Sequence, residues 1–295
     1  MAKYLDIFTD YGFKKIFGEE ANKDILIDFL NALLPISSPI ANLTFKNTEK
    51  LGRMPVDRKA IYDIYCENER GEKFIVELQK NKQDYFKERT IYYSTFPISE
   101  QAQKGKWLFD LKAVYCIGLL DFKFSDYANA NEKREVVHRI TLKDQNGRQF
   151  YDKLTYIYLE MPNFKKTVKQ LETRLDKWLY FIKNLEDFQT IPKIFKNEVV
   201  FVEAMEKAEL SKLNDRDRFL YEASLKVYRD SIAIVETARN EGLREGAAIK
   251  EKYAEEKAME RVLEMAINCL KDGLSITKTA KLTGLTEDEV RGIKL

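Results

Sequence analysis

The stretch "YDIYCENERGEKFIVELQK", Tyr62 to Lys80, constrains the fold more than any other part of the chain. Apolar and polar residues alternate, the chain turns once, and the alternation resumes. A period of two marks a half-buried strand. Glu69-Arg70-Gly71 reads as a three-residue turn in which Gly71 supplies the left-handed conformation. The pattern therefore predicts a hairpin with strands over 60–66 and 73–80. In the simplest register Asn68 pairs with Glu72 and Asp63 falls opposite Glu77. Residues directly opposite share a face, and Gln79, two positions on, shares it too. A two-residue turn would shift the register by one and send the two acids to opposite faces.

The acids are the unusual part. Phe74, Val76 and Leu78 face one way; Ile75, Glu77 and Gln79 face the other. The bland reading of Asp63 and Glu77 is a solvated strand face. Against it, this second face is neither apolar nor freely charged, and ionised carboxylates on a half-buried face need a partner. A divalent metal uses two of them well. Magnesium takes oxygen ligands and keeps several waters, so one or two carboxylates suffice. Such an ion activates water and stabilises the charge on a phosphate being cleaved.

Around the hairpin the chain alternates between helical and strand periodicity. Residues 10–34 predict two short helices, with Asn22 as an N-cap and Pro35 as a stop. Residues 41–46 predict a strand. Residues 84–104 predict a helix packed by Tyr85, Thr90, Tyr92, Tyr93 and Phe96, with a kink at Pro97 and a C-cap at Gly105. Segments 111–124, 134–143 and 154–162 predict strands, the first buried on both faces. This order implies an α/β fold, a mixed sheet flanked by helices.

After Pro162 the composition changes. Residues 168–265 are rich in charge, with apolar residues at helical spacing. Gly242 and Gly246 interrupt a charged run that reads as a long solvated helix or a weak coiled coil. Residues 276–295 have helix-turn-helix spacing: Ala280 for close approach, Gly284 for the turn, Leu285 and Val290 beneath, and a Thr286–Glu289 capping box. The first turn of the last helix is Glu287-Asp288-Glu289, three acids that phosphates would repel. Packing or protein contact is favoured over DNA reading. The expected organisation is a sheet domain over 1–165, an all-α region over 166–265 and a small helical unit over 266–295.

Totals exclude several classes. Fifty basic and 48 acidic residues leave a net charge of +2, so any nucleic-acid contact comes from a local patch. Three dispersed cysteines, Cys66, Cys116 and Cys269, read as free thiols in a reducing compartment. The single histidine, His138, argues against a zinc site and His-assisted nucleophiles. No signal-peptide pattern and no membrane-length apolar run occurs, so a cytoplasmic location is expected.

Asp63 followed by Glu77-Leu78-Gln79 resembles the D…(D/E)-x-K core of PD-(D/E)XK nucleases, with Gln79 in the lysine place. The ordered blocks "DYGFKKIFGEEANKDILIDFLNALLP", "DRKAIYDIYCENERGEKFIVELQK" and "FKERTIYYSTFPISEQAQKGKWLFDLKAVYCIGLLDF" resemble the recombination-promoting nuclease family of transposases within that superfamily. The similarity is strong over roughly residues 5–124 and looser beyond. The resemblance implies a restriction-endonuclease-like fold and a magnesium-dependent DNA endonuclease, with manganese as a substitute ion. It implies Asp63, Glu77 and the Leu78 carbonyl as metal ligands. Gln79 would orient the attacking water or the phosphate, and Lys80 or Lys82 would supply the charge Gln79 lacks. Asp10 matches the family's first block and either approaches the metal or caps its helix. Arg89 and Tyr92 match an R-x-x-Y block and either touch phosphate or brace the helix. The implied partners are DNA and a second copy of the chain. The competing readings are a catalytically weak nuclease fold used for interaction through its helical tail, and a DNA-binding regulator.

Overall fold

The computed structural model describes residues 2–36, 38–50, 60–124 and 135–293. Two compact units divide it, residues 1–232 and 233–295.

The first unit begins with two helices, α1 (Asp10–Phe17) and α2 (Lys23–Leu33). Strands β1 (Leu43–Phe45), β2 (Glu49–Lys50), β3 (Ala60–Ile61), β4 (Ile64–Asn68) and β5 (Lys73–Gln79) follow. Helix α3 (Phe86–Ser99) leads to β6 (Val114–Leu120), β7 (Val137–Lys143) and β8 (Gln149–Glu160). Helices α4 (Arg174–Asn184) and α5 (Val199–Ala208) come next, and α6 (Asp215–Lys271) runs from this unit into the second.

Six strands form one mixed sheet in the order β1-β4-β5-β6-β8-β7. The β1–β4, β4–β5 and β7–β8 pairs are antiparallel; β5–β6 and β6–β8 are parallel. The hairpin takes the three-residue turn. Gly71 adopts φ +81°, its N–H donates to the Asn68 carbonyl at 3.0 Å, and the Asn68 N–H donates to the Glu72 carbonyl at 3.0 Å. A side chain at that φ would be strained, which is why the turn falls on glycine.

The expected strand over 60–66 is split. Residues 60–61 pair with β2 in a separate two-stranded sheet, and the Tyr62 N–H donates to the Thr48 carbonyl at 3.0 Å. The chain changes partner at Tyr62–Asp63, so Asp63 stands just outside the main ladder.

The two sheet faces carry different helices. Phe74, Val76 and Leu78 join Ile117, Leu119, Ile157 and Leu159 in a core covered by α1, α2, α4 and α5. Fully buried Trp178 of α4 lies among Phe17, Phe29 and Phe201. Its indole N–H donates to Asp28 at 2.7 Å, and Arg174 grips both oxygens of that carboxylate. A buried indole N–H without a partner would cost about 1–3 kcal/mol, so Asp28 fixes how α2 meets α4. The change of composition after Pro162 therefore does not coincide with a break in this core. On the other face α3 covers Ile75, Cys116, Tyr156 and Tyr158.

Several local expectations are corrected. Asn22 ends a short 3-10 turn and makes no capping bond to α2; its amide donates to the Lys15 carbonyl instead. Helix α3 is shorter than 84–104. Pro97 lies inside it and cannot donate to the Tyr93 carbonyl one turn back, which accepts from the Tyr62 hydroxyl at 3.0 Å instead; the helix ends at Ser99, and Gly105 lies beyond it. Tyr85 is 78% exposed and does not pack α3 as expected, whereas Tyr92, though 41% exposed, meets the Phe96 ring edge-on at 5.2 Å along the helix surface. Arg134, at the head of the expected 134–143 strand, lies outside the described residues, as do Lys294 and Leu295.

In the second unit Gly242 and Gly246 lie within α6, which continues through them. Helices α7 (Ile276–Thr283) and α8 (Glu287–Arg291) pack on each other, with Val290 buried and the Thr286–Glu289 capping box formed. Glu287, Asp288 and Glu289 are exposed. Among the described residues no helix is long and apolar enough to cross a membrane. The three cysteines are free thiols, and His138 sits on β7, 3.5 Å from Glu160 and three strands from β5.

Candidate active site

Ile64 faces Val76 across the hairpin, and one step further the same register sets Asp63 opposite Glu77. The Asp63 Oδ2 atom accepts from the Leu78 N–H at 2.8 Å, taking the place of the missing ladder partner. On β5 the Gln79 carbonyl accepts from the Asp121 N–H, on the β6 side. Backbone N–H and C=O groups of one residue point the same way and alternate along a strand. The Leu78 carbonyl therefore faces Asp63, where β4 has already ended.

Both carboxyls are shifted upward. Burial, and then the neighbouring Asp63, push Glu77 up to about 8. Burial raises Asp63 as well, eased by the Leu78 N–H and by Lys14. Glu77 Oε1 is buried and has no hydrogen-bond partner among the described residues. An orphaned carboxylate oxygen beside a second acid is a costly arrangement for the protein alone. The residue beside Glu77 on β6 is Gly118, and a small cavity lined by Glu77, Thr90, Gly118 and Tyr158 follows from it. Two carboxylates and a main-chain carbonyl are the hard oxygen donors a divalent cation such as magnesium prefers, and they fit one. Among the described residues no group of three or more His, Cys, Asp or Glu side chains is set to hold a metal.

Positive charge arrives from α1. Lys14 Nζ lies 2.8 Å from Asp10 Oδ1 and 3.8 Å from Asp63 Oδ1. Burial lowers its pKa, but Asp10 and Asp63 outweigh that and hold it above the usual lysine value. Asp10 is thus tied to Lys14. It does not cap α1: Thr9 does, accepting from the Gly12 N–H at 3.0 Å. Lys80, on the same sheet face as Leu78, places its ammonium 5.6 Å above the Tyr228 ring of α6. Burial lowers its pKa, resisted by Asp10 and Asp63.

On the α3 side, the carboxamide of Gln79 is held at both ends. Its nitrogen donates to the Asn81 carbonyl at 2.9 Å, and its oxygen accepts from Arg89. Arg89 also donates to Gln83 and attracts the Glu77 carboxylate. It therefore braces the loop after β5 onto the carboxylate strand. Lys82 is exposed on that loop, and Tyr92 is exposed on α3 against Tyr93 and Phe96.

Asp63, Glu77, Leu78, Lys14, Asp10 and Lys80 thus converge at one end of the hairpin, with Gln79 and Arg89 behind Glu77. Lys14 and Gly118 were not singled out from the sequence as site residues. The signal for Lys14 was its i,i+4 spacing from Asp10, which puts both on one helix face. Gly118 had no local signal, because its importance depends on which strand lies beside β5.

Residues 7–238 match a family model described as PD-(D/E)XK nuclease family transposase. Comparison with curated proteins gives no match. Comparison with solved structures gives none.

Proposed function

The chain belongs to the PD-(D/E)XK nuclease family transposases, and from that premise we propose that it is a metal-dependent DNA endonuclease hydrolysing phosphodiester bonds. The observation that carries this reading is the Asp63–Glu77 pair with its buried oxygen, partnerless among the described residues. Asp63, Glu77 and the Leu78 carbonyl would hold magnesium, or manganese in its place. When bound, such an ion lowers the pKa of water and offsets the charge that builds on a phosphate under attack.

The chain's own groups do the rest. Asp63, fixed by the Leu78 N–H, presents one oxygen toward Lys14. Lys14 brings the positive charge that Gln79 lacks, and it can neutralise a phosphate oxygen as an ammonium. Arg89 keeps Gln79 from rotating, so that Gln79 acts by position rather than charge. Lys80 adds a second ammonium on the α1 side. The family context suits a role in recombination or mobile-element and defence processes in the cytoplasm, where free thiols persist. Cutting both strands needs two sites, so a homodimer is expected.

A second reading is a nuclease fold with weak catalysis that works through its helical tail. The engaged Gln79 carboxamide, in place of a lysine, favours it. Plasmid cleavage by purified protein in magnesium, manganese, calcium or EDTA separates the two, with Glu77→Ala alongside. Cutting that requires magnesium or manganese and disappears in the variant supports the nuclease. Silence from folded wild-type protein in every ion supports the second reading.

A further inference from the structure

Among the described residues only Tyr85 and Phe109 are non-glycine residues with left-handed backbone, at φ +60° and +58°. Bulky residues avoid this region, and such strain clusters at functional positions. Phe109 packs against Trp107, the ring centroids 4.5 Å apart and tilted by 34°. Tyr85 is 78% exposed, and among the described residues its ring packs on no other ring and its hydroxyl has no hydrogen bond. Tyr85 starts α3 through its backbone, its carbonyl accepting from the Arg89 N–H at 2.9 Å, but the exposed ring adds nothing to the core.

The position of Tyr85 gives it a use. It ends the loop after β5, and Arg89 pins that loop by bonding Gln79 and Gln83 together. Gln79 is two residues from Glu77. Beside Tyr85 lies a cavity of about 200 Å³ with Phe86, Phe122 and Phe124 in its walls. Phe86 and Phe122 meet edge-on at 5.9 Å, and the Lys87 ammonium covers the Phe124 ring at 5.2 Å. Lys82 and Lys87 on the rim are matched by Asp84 and Glu88. A rim of balanced charge does not select a phosphate. Phe86 and Phe124 are themselves buried behind it, so the ring face on offer here is that of Tyr85, and an exposed ring selects a flat, uncharged, aromatic ligand.

We propose that Tyr85 and this cavity form a nucleobase subsite, which receives an unpaired base of the DNA strand next to the scissile phosphate. The inference rests on the nuclease reading and deepens it. The preferred substrate is DNA whose bases are already unstacked (single-stranded, frayed or mismatched), because removing a base from an intact duplex costs a few kcal/mol. Every base has a face to stack, so the subsite tolerates any sequence.

The test uses the full chain in EDTA, where no cleavage occurs. Single-stranded oligothymidine carrying 2-aminopurine at scattered positions is titrated with wild type, Tyr85→Ala, Tyr85→Phe and Tyr85→Gly. Stacking quenches 2-aminopurine fluorescence. Wild type and Tyr85→Phe are expected to bind and quench. Tyr85→Ala and Tyr85→Gly should lose the quench and bind roughly tenfold more weakly or worse. Tyr85→Gly relieves the left-handed backbone, so it should melt no lower than wild type and serves as the folding control. Binding without quench, or a quench that Tyr85→Ala preserves, overturns the subsite and leaves the nuclease reading standing. Folded wild-type protein that neither binds this DNA nor cuts plasmid in magnesium overturns both.

Discussion

Lys14 Nζ lies 3.8 Å from Asp63 Oδ1, a contact that joins the first helix to the edge of the carboxylate hairpin. The same ammonium bonds Asp10 on its own helix. Lys14→Met keeps the methylene stem and deletes the charge. Cleavage is expected to fall roughly a hundredfold or more, the scale for removing one charge-stabilising donor. Its circular-dichroism spectrum should match wild type. Steady-state cleavage within threefold of wild type would remove Lys14 from the site.

Asp63 and Glu77 repel one another when no cation lies between them, and burial adds to that cost. Asp63→Asn and Glu77→Gln keep the shapes and remove one charge each. Each is expected to abolish magnesium-dependent cleavage while stabilising the metal-free protein by about 1–3 kcal/mol. Magnesium should raise the melting temperature of wild type and not of either variant, since only a ligand that prefers the folded state stabilises it. A variant that melts below wild type in EDTA, or responds fully to magnesium, contradicts the metal assignment.

The hairpin was legible because its signals are local. Alternation, one glycine and a three-residue turn specify which residues oppose which, and Asp63 and Glu77 follow. The split at Tyr62–Asp63 was not legible. It depends on β2, a distant segment, capturing residues 60–61. Long-range choices of this kind leave little trace in a strand's own pattern. The surroundings of Glu77 were hidden for the same reason, since Gly118 becomes its neighbour only through the β5–β6 pairing. Exposure of Tyr85 and Tyr92 contradicted a periodicity that treats every aromatic as core. The roles of Asp10 and Lys14 fall between these cases: their spacing is written in the chain, but the carboxylate they approach is not.

Gly118 is packed against Tyr158. A Cβ placed there would lie 3.0 Å from the Tyr158 ring, whose hydroxyl is fixed by Thr90 at 2.7 Å. Gly118→Ala should therefore destabilise the protein by about 1–3 kcal/mol, the usual range for overpacking a filled site. It should also disturb Glu77, the cross-strand neighbour. Urea unfolding measures the first effect. The second is the residual cleavage per folded molecule. Stability equal to wild type would mean that the ring moves freely, against the Thr90 contact.

Asp6 gives the cleanest dependence on pH, because the charges that shift it most are Glu186 and Asp121 rather than Asp63 or Glu77. It is buried, its Oδ1 accepts from the Phe8 N–H at 2.7 Å, and its own N–H donates to the Tyr221 hydroxyl at 2.9 Å. Burial, with Glu186 and Asp121 adding like charge, pushes its carboxyl from 3.8 up to about 7. Between those values the folded chain holds a proton that the unfolded chain has released. Stability contributed by that proton is complete below pH 3.8 and is lost as pH rises toward 7. Asp6→Asn keeps the acceptor for Phe8 and never ionises. Its unfolding free energy should match wild type near pH 4 and exceed it by on the order of 2–4 kcal/mol at pH 8. The difference between the two proteins isolates Asp6, since every other group titrates in both. Urea unfolding curves at pH 4, 6 and 8 decide it. A constant offset across that range would place the Asp6 carboxyl outside the titration that stabilises the fold.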